Sequence, residues 1–349
     1  MKARAYAVAV WVALAACLAL PEAAGSQAGP SLSGYLAPAL TLQSTTAGEQ
    51  YTLQNHLRLK VDWQAGEEVS ARGEFDIRTE DRHGAGETQV TADAGVDRLY
   101  LRLVSGATQL TLGRQRISWG DGTAFAPADF FNPPDPSDPS APRPGADGVL
   151  VRHAIGTLGY VAAAAAVVNP AVSSAERQPG VTGSFRFGTH VGHTDLDAGW
   201  GYDGVARRAV TFLEARGDLG VGWHASLAHS RHKDASSGWS GAAGVDYSLL
   251  GGQLIGSVEY AAGPAPGDAR ERPRWAVSAT YLPTEITSYQ LNLLLDTDPA
   301  SRPQAVASLT QVLADQLDLS LRVAAPLGVP KTSNDTFRGA AEVRLRYSF

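Results

Sequence analysis

From Tyr51 to Trp63 the odd positions read Tyr, Leu, Asn, Leu, Leu, Val, Trp, while the even ones read Thr, Gln, His, Arg, Lys, Asp. A period of two with one apolar and one polar face predicts a β-strand. The pattern repeats along the chain. Val69, Ala71, Phe75 and Ile77 alternate with Ser70, Arg72, Glu74, Asp76 and Arg78; Leu99, Leu101 and Leu103 alternate with Arg98, Tyr100 and Arg102. Further faces are Leu196/Ala198/Trp200/Tyr202, Leu219/Val221/Trp223/Ala225/Leu227, Trp275/Val277/Ala279/Tyr281 and Tyr289/Leu291/Leu293/Leu295. The chain closes on Ala341, Val343, Leu345, Tyr347 and Phe349 against Glu342, Arg344 and Arg346. Most segments run longer than the usual strand of a soluble sheet, and their length matches a tilted crossing of a bilayer.

The joints between segments alternate in length. Tight ones fall near Ala65–Glu68, Ser105–Gly106, Gly156, Gly217–Leu219, Leu250–Gly252, Pro283–Thr284 and Ala314–Gln316. Longer polar stretches lie near Glu80–Asp97, Ser118–Gly148, Asn169–Gly180, Arg231–Gly238, Gly263–Pro273 and Pro326–Thr336. Short turns at one end and long loops at the other describe a bacterial outer-membrane barrel. Hydrocarbon offers no partner for a backbone N–H, so a sheet that crosses it has to close. The fold class expected is all-β: a transmembrane antiparallel up-and-down β-barrel of 18 strands, or 16 if the weak segments near Leu150, Gly183 and Val306 are not strands. Trp63, Trp200, Trp223, Trp239 and Trp275, near segment ends, fit the aromatic girdles of such barrels.

The two ends of the chain carry their own signals. Lys2 and Arg4 precede an apolar run from Ala5 to Leu20, with small residues at Ala23-Ala24-Gly25. That is the layout of a secretory signal, giving residues 1–25 as signal peptide and 26–349 as one barrel. Cys17 also sits in a lipoprotein-like context, although the run continues apolar beyond it. At the other end, the alternating strand that finishes on Tyr347 and Phe349 resembles the signal read by the outer-membrane assembly machinery. Expected partners are therefore that machinery, outer-membrane lipid and lipopolysaccharide, and small polar solutes; localisation is the bacterial outer membrane, and no nucleic-acid partner is expected.

Composition by itself is bland. The 349 residues are 44% hydrophobic with net charge −6, and mean hydropathy is −0.12. A helical multispanning protein is excluded by the lack of long apolar runs after the N-terminus. A single Cys excludes a disulfide scaffold. The barrel reading explains the hydropathy, because apolar residues on alternate positions face lipid and the polar set faces a lumen that 16–18 strands leave wide enough for water.

Arg58, Lys60, Arg72, Arg78, Arg98, Arg102, Arg186, Arg274, Arg322, Arg338, Arg344 and Arg346 fall on the inferred inner face, opposed by Asp62, Glu74, Asp76, Asp246, Glu259, Asp318 and Glu342. Rings of basic residues favour anions in pores, while cross-strand ion pairing that stiffens the wall is the plainer use of the same residues. The 118–148 segment carries seven prolines together with Phe125, Phe130 and Phe131, which need a surface to pack on. It is expected to fold inward as a constriction, presenting Asp121, Asp129, Asp135, Asp138 and Arg143 to the wall arginines. The other reading is an external loop covering the mouth. Ala162–Ala166 offers a flat flank for contact between barrels, with the oligomeric state left open.

The loop entry is Gly113-Arg114-Gln115-Arg116, followed by Trp119-Gly120 and Asn132-Pro133. This run resembles alginate-export-type and related porin-like barrels. The resemblance implies the architecture, but the chain is short for an alginate exporter. By alternation Arg114 and Arg116 share the face of Leu110 and Leu112; a bulge at Gly113 would turn them inward.

The expected function is a channel for passive diffusion of small polar solutes, anions among them. A structural or surface-binding barrel blocked by the loop is the alternative, and an outer-membrane hydrolase the third. No nucleophile motif is present, and His190/His193 and His229/His232 at i, i+3 point to opposite faces of a strand. No catalytic residue, metal or cofactor is therefore expected.

Overall fold

A computed structural model describes residues 29–84, 87–136, 143–168, 180–232, 237–263, 273–297, 302–328 and 337–349. Its architecture is one antiparallel sheet of 18 strands closed on itself, running from β1 (Ser31–Thr45) to β18 (Phe337–Ser348). Each strand pairs with its neighbours in sequence, and the first pairs with the last through registers such as Leu36↔Tyr347 and Leu40↔Val343. Leu150, Gly183 and Val306 lie in β6 (Ala146–Ile155), β8 (Gly180–Val191) and β16 (Gln304–Ala314), so the count is 18 rather than 16. The only helical element among the described residues is a single 3-10 turn at Leu250–Gly252.

Burial follows the alternation with the sense inverted relative to a soluble protein. Leu40, Leu42, Leu53, Ile77, Leu99, Leu213 and Leu227 are exposed on the outside, while Arg58, Asp76, Asp197, Glu214 and Glu259 are buried inside. Outward aromatics form two belts. Trp200, Tyr202, Trp239 and Trp275 lie toward the long-loop end; Trp63, Tyr247, Tyr281 and Tyr289 lie toward the short-turn end, with Tyr281 and Tyr289 stacked. Rings with an apolar body and a polar edge settle at both lipid–water interfaces, so the belts mark the membrane band.

One joint differs from expectation. The Glu80–Asp97 stretch is not a loop: β3 (Val69–Gly84) and β4 (Glu87–Ser105) run on as a hairpin with two residues between them. Its polar composition suggested a loop, but beyond the membrane a strand needs only backbone pairing, and its charges pair within the sheet, Arg82 to Glu80 at 2.6 Å. Within β4 the register shifts beside Glu74 and Phe75. The extra residue puts consecutive side chains, Asp97 and Arg98, inside.

The barrel closes at a specific contact. Gly34 and Phe349 exchange backbone hydrogen bonds of 2.9 and 3.0 Å. A Cβ at Gly34 would overlap the carbonyl of Arg58 and the ring of Phe349, so the terminal aromatic fits only over a glycine.

Candidate functional site: a strapped lumen

β5 (Thr108–Gln115) is the shortest strand; after Gln115 the chain leaves the wall and returns only at β6. The intervening segment folds into the barrel. Ile117, Trp119, Ala128, Phe130 and Phe131 form one buried cluster with inward side chains of β6 to β11 (Gly222–His232), among them Val210 and Phe212. Three of the five residues in Ala162–Ala166 belong to it, since Ala162, Ala164 and Ala166 face inward. Small side chains there give the aromatic rings room. A second cluster, Ala124 and Phe125 with Ala242 and Ala261, lies across the lumen on β12 (Ser237–Leu249) and β13 (Leu254–Ala262). The segment is thus a strap from β5 to β13, nearly half the circumference away.

Polar clasps hold it. The carboxylate of Glu259, on β13, accepts the consecutive backbone N–H groups of Thr123, Ala124 and Phe125 at 2.9, 3.0 and 3.0 Å. Successive amides around one anion form a nest, and burial of Glu259 makes these bonds strong. Arg274 is buried above the Phe125 ring at 5.1 Å. Midway, Arg186 donates to the Trp119 carbonyl at 2.7 Å and pairs with Asp197 at 2.6 Å and Glu214 at 3.4 Å. Asp121 pairs with Arg216 at 3.2 Å. On the return, Arg98 donates to the Arg143 carbonyl at 2.8 Å.

These clasps reassign several residues expected in the constriction. Asp129 is 0% exposed and does not face the lumen. It accepts from Asn132 N–H at 3.0 Å, Ser118 Oγ at 3.2 Å and Arg143 Nη1 at 3.4 Å, so it shapes the strap from within. Burial pushes its carboxyl above the ordinary aspartate value, against the pull of Asn132 and Arg143. Asp121 likewise serves attachment. Short carboxylates on a buried loop satisfy its own donors first. Asp135 is exposed and has a partner; Asp138 lies outside the described residues.

Arg114 and Arg116 part company. Gly113 adopts φ +111°, yet the β4–β5 register is unbroken, so Arg114 stays on the outside, bound to Asp147 at 2.5 and 2.9 Å. Arg116 follows the chain inward and lines a cavity with Arg72, Arg98 and Arg102. Trp119, also at the entry, is buried in the strap. Burial and the neighbouring Arg116 charge hold the Arg143 guanidinium below its usual value.

Of the wall arginines, Arg58 is a structural hub. It forms two 2.7 Å bonds to Asp76 and reaches Asp97 at 3.0 Å and Glu74 at 3.4 Å. His56 joins Asp76 at 2.7 Å and Arg78 does so at 3.3 Å. Arg72 pairs with Asp62 at 2.5 Å, Arg98 with Asp97 at 3.1 Å, Arg344 with Glu342 at 2.9 Å and Arg346 with Asp318 at 2.6 Å. Arg322 is inward and partnered, and Arg274 is covered by the strap tip rather than open to the lumen. Lys60 is inward on β2 (Gly48–Ala65). Among the described residues Arg102 and Arg116 make no ion pair.

Two further spaces remain beside the strap. One of about 680 Å³ opens toward the short-turn end of β9 (Thr194–Asp203) to β15 (Thr287–Asp296) and is lined by Asp121, Asp195, Asp218, Asp246 and Glu259, with His193, Arg216 and His224. The other, about 180 Å³, lies between the strap tip and β13 to β16. The basic cavity at β3 to β6 and the acidic one at β9 to β15 stand on opposite walls. Glu259, Glu214 and Arg186, which sequence reading did not place at the strap, are inward charges on strands; their partners lie about 70 to 140 positions away in the chain.

A closed 18-strand barrel with lipid-facing aromatic belts and a strapped, charged lumen is the architecture of a channel through the bacterial outer membrane. The sequence profile of the Gram-negative porin family matches residues 11–294, and the chain belongs to that family. It is an outer-membrane channel for small solutes. Among curated protein sequences, none matches this chain. Solved structures with the same fold include OccAB4 of Acinetobacter baumannii (8% identity, TM-score 0.64, covering 93% of this chain and 99% of that one). OprD of Pseudomonas aeruginosa is similar as well (8%, 0.64, 94% and 95%), as is OccK7 of the same organism (10%, 0.63, 92% and 99%). The resemblance of Gly113–Trp119 to alginate-export-type barrels is not supported. Those residues here serve local needs, the outer Arg114–Asp147 pair and the strap root, so the short run does not define a family.

Proposed function

We propose that this channel passes small polar solutes by diffusion and prefers anions, with the 116–145 strap narrowing the path. The observation that supports the preference is the inner face of β2 to β5, where Arg102 and Arg116 remain after the other arginines are paired. Fixed positive charge in a low-dielectric passage raises the local concentration of anions. Asp129 takes no part in selecting solutes; it shapes the strap. Reversal potentials of the purified protein in planar bilayers under a KCl gradient test this reading. Selectivity for chloride is expected; cation preference overturns it, and no unit conductance after demonstrated insertion overturns the open channel.

The depth at which Phe130, Phe131 and Trp119 are buried favours a second reading, a barrel whose lumen the strap blocks. Deleting Asp121–Asp147 would then create conductance where none existed. In either case we assign residues 1–25 to an export signal, and the strand ending at Tyr347 and Phe349 to recognition by the assembly machinery. Outer-membrane lipid and lipopolysaccharide are the surroundings proposed for the outer face, and no catalytic role is proposed.

A further inference from the structure

The cavity of about 160 Å³ between the strap root and the short-turn end of β3 to β6 is small, basic and built. Arg72, Arg98, Arg102 and Arg116 line it, with Thr111 and Gln115, each 3% exposed, forming its floor. Gln115 is fixed by bonds from its amide to the carbonyls of Thr111 and Gly148 at 3.0 and 3.3 Å. The volume is ample for a single oxyanion head with its hydration.

Charge balance goes further than size. On this wall Arg58, Arg72, Arg78 and Arg98 are engaged by Asp62, Glu74, Asp76 and Asp97, four cations against four anions. Glu74, the one carboxylate lining the cavity, is held by Arg58 at 3.4 Å and Arg72 at 3.9 Å. Arg102 and Arg116 are therefore surplus, two guanidiniums with no carboxylate besides Glu74 lining the cavity among the described residues. A monovalent anion would balance only one of the two guanidiniums. Lys60 adds positive charge nearby but does not line the cavity.

Resting on the reading of the protein as an anion-preferring channel, we infer that this cavity is a binding subsite for a small divalent oxyanion, of the phosphate or sulfate type, held by Arg102 and Arg116. Planar guanidiniums give such an anion paired, charge-assisted hydrogen bonds. The subsite is a resting place beside the path, so an occupying dianion slows chloride.

The test is block of chloride current through single channels of the full-length protein. Inorganic phosphate is expected to block more than tenfold better at pH 8, where it is mainly divalent, than at pH 5.5, where it is monovalent. Sulfate, divalent at both, should block about equally at both, which separates titration of the probe from titration of the protein. Glycerol phosphate distinguishes a free ion from a phosphate carried by an organic solute; equal block assigns the site to the head group alone. Arg102→Gln with Arg116→Gln should raise the half-blocking phosphate concentration at least about tenfold, as expected for losing charge-assisted bonds. Lys60→Gln should change it less than about twofold. Chloride current unaffected by either dianion, or equal effects of the Lys60 and arginine variants, would overturn the subsite while leaving the channel standing. Absence of any chloride current would instead overturn the channel reading.

Discussion

Removing the Glu259 carboxylate tests how the strap is held. Three consecutive amides donate to it, and its oxygens are buried between the strap tip and β13. A hydrogen bond to a charged group contributes about 1.5–3 kcal/mol net. The three share one carboxylate and are not additive, so roughly 4 kcal/mol is a fair total for the clasp. Glu259→Ala loses all of it and leaves three amide donors facing a space into which water can enter. The docked-to-undocked ratio at the tip should then fall by about a thousandfold, as that energy dictates. Phe125 and Ala124 still pack on Ala242 and Ala261, so the tip is loosened rather than expelled. Single-channel recording should show larger mean conductance with frequent flicker in Glu259→Ala, while Glu259→Gln, which keeps one acceptor oxygen, falls between it and the wild type. If open-channel noise and conductance of Glu259→Ala match the wild type, the apolar packing alone holds the tip, and the account of the clasp is wrong.

Three further outcomes follow from the same geometry. Arg58→Ala leaves Glu74, Asp76 and Asp97 together without their shared cation, and should destabilise the barrel by about 3–5 kcal/mol, read from urea unfolding in liposomes; a shift below 1 kcal/mol would show the hub to be dispensable. Gly34→Val puts a side chain where the Phe349 ring and the Arg58 carbonyl lie, and should sharply reduce the yield of heat-modifiable, folded barrel, whereas the same change at the open Gly95 should not. Because burial raises the Asp129 carboxyl, its contribution to strap docking is complete below the ordinary aspartate value and diminishes as pH rises through the raised one. Hydrogen exchange of the strap amides, corrected for intrinsic rates, should therefore show greater protection at pH 4 than at pH 7, and the difference should vanish in Asp129→Asn.

Much of the barrel was legible because a lipid-facing strand must show its apolar residues every second position, and a lumen-facing one its charges. Leu99, Leu101 and Leu103 could sit on no other face. The strap was legible in part: Phe125, Phe130 and Phe131 required a surface, but the residues that provide it lie far along the chain. The tie between Glu259 and Thr123 spans 136 positions, with no local trace in either segment. Acidity was the misleading signal. Asp129 reads as a charge presented to solvent, whereas its donors are Ser118, Asn132 and Arg143 of its own loop. Alternation also failed where the strand stopped. It put Arg114 and Arg116 together, although the end of β5 at Gln115 separates them across the wall.

A tube made only of paired strands resists stretching along its wall far better than flattening of its cross-section, because flattening needs only small changes in the angle between neighbours. The strap alters that balance. Pinned at its root beside β5 and at Glu259 on β13, it acts as a cross-brace along one diameter. Lateral pressure from the membrane then cannot squash the tube toward an ellipse along that axis without compressing the brace or breaking its clasps. The bore stays set by the braced diameter even as lipid packing around it changes.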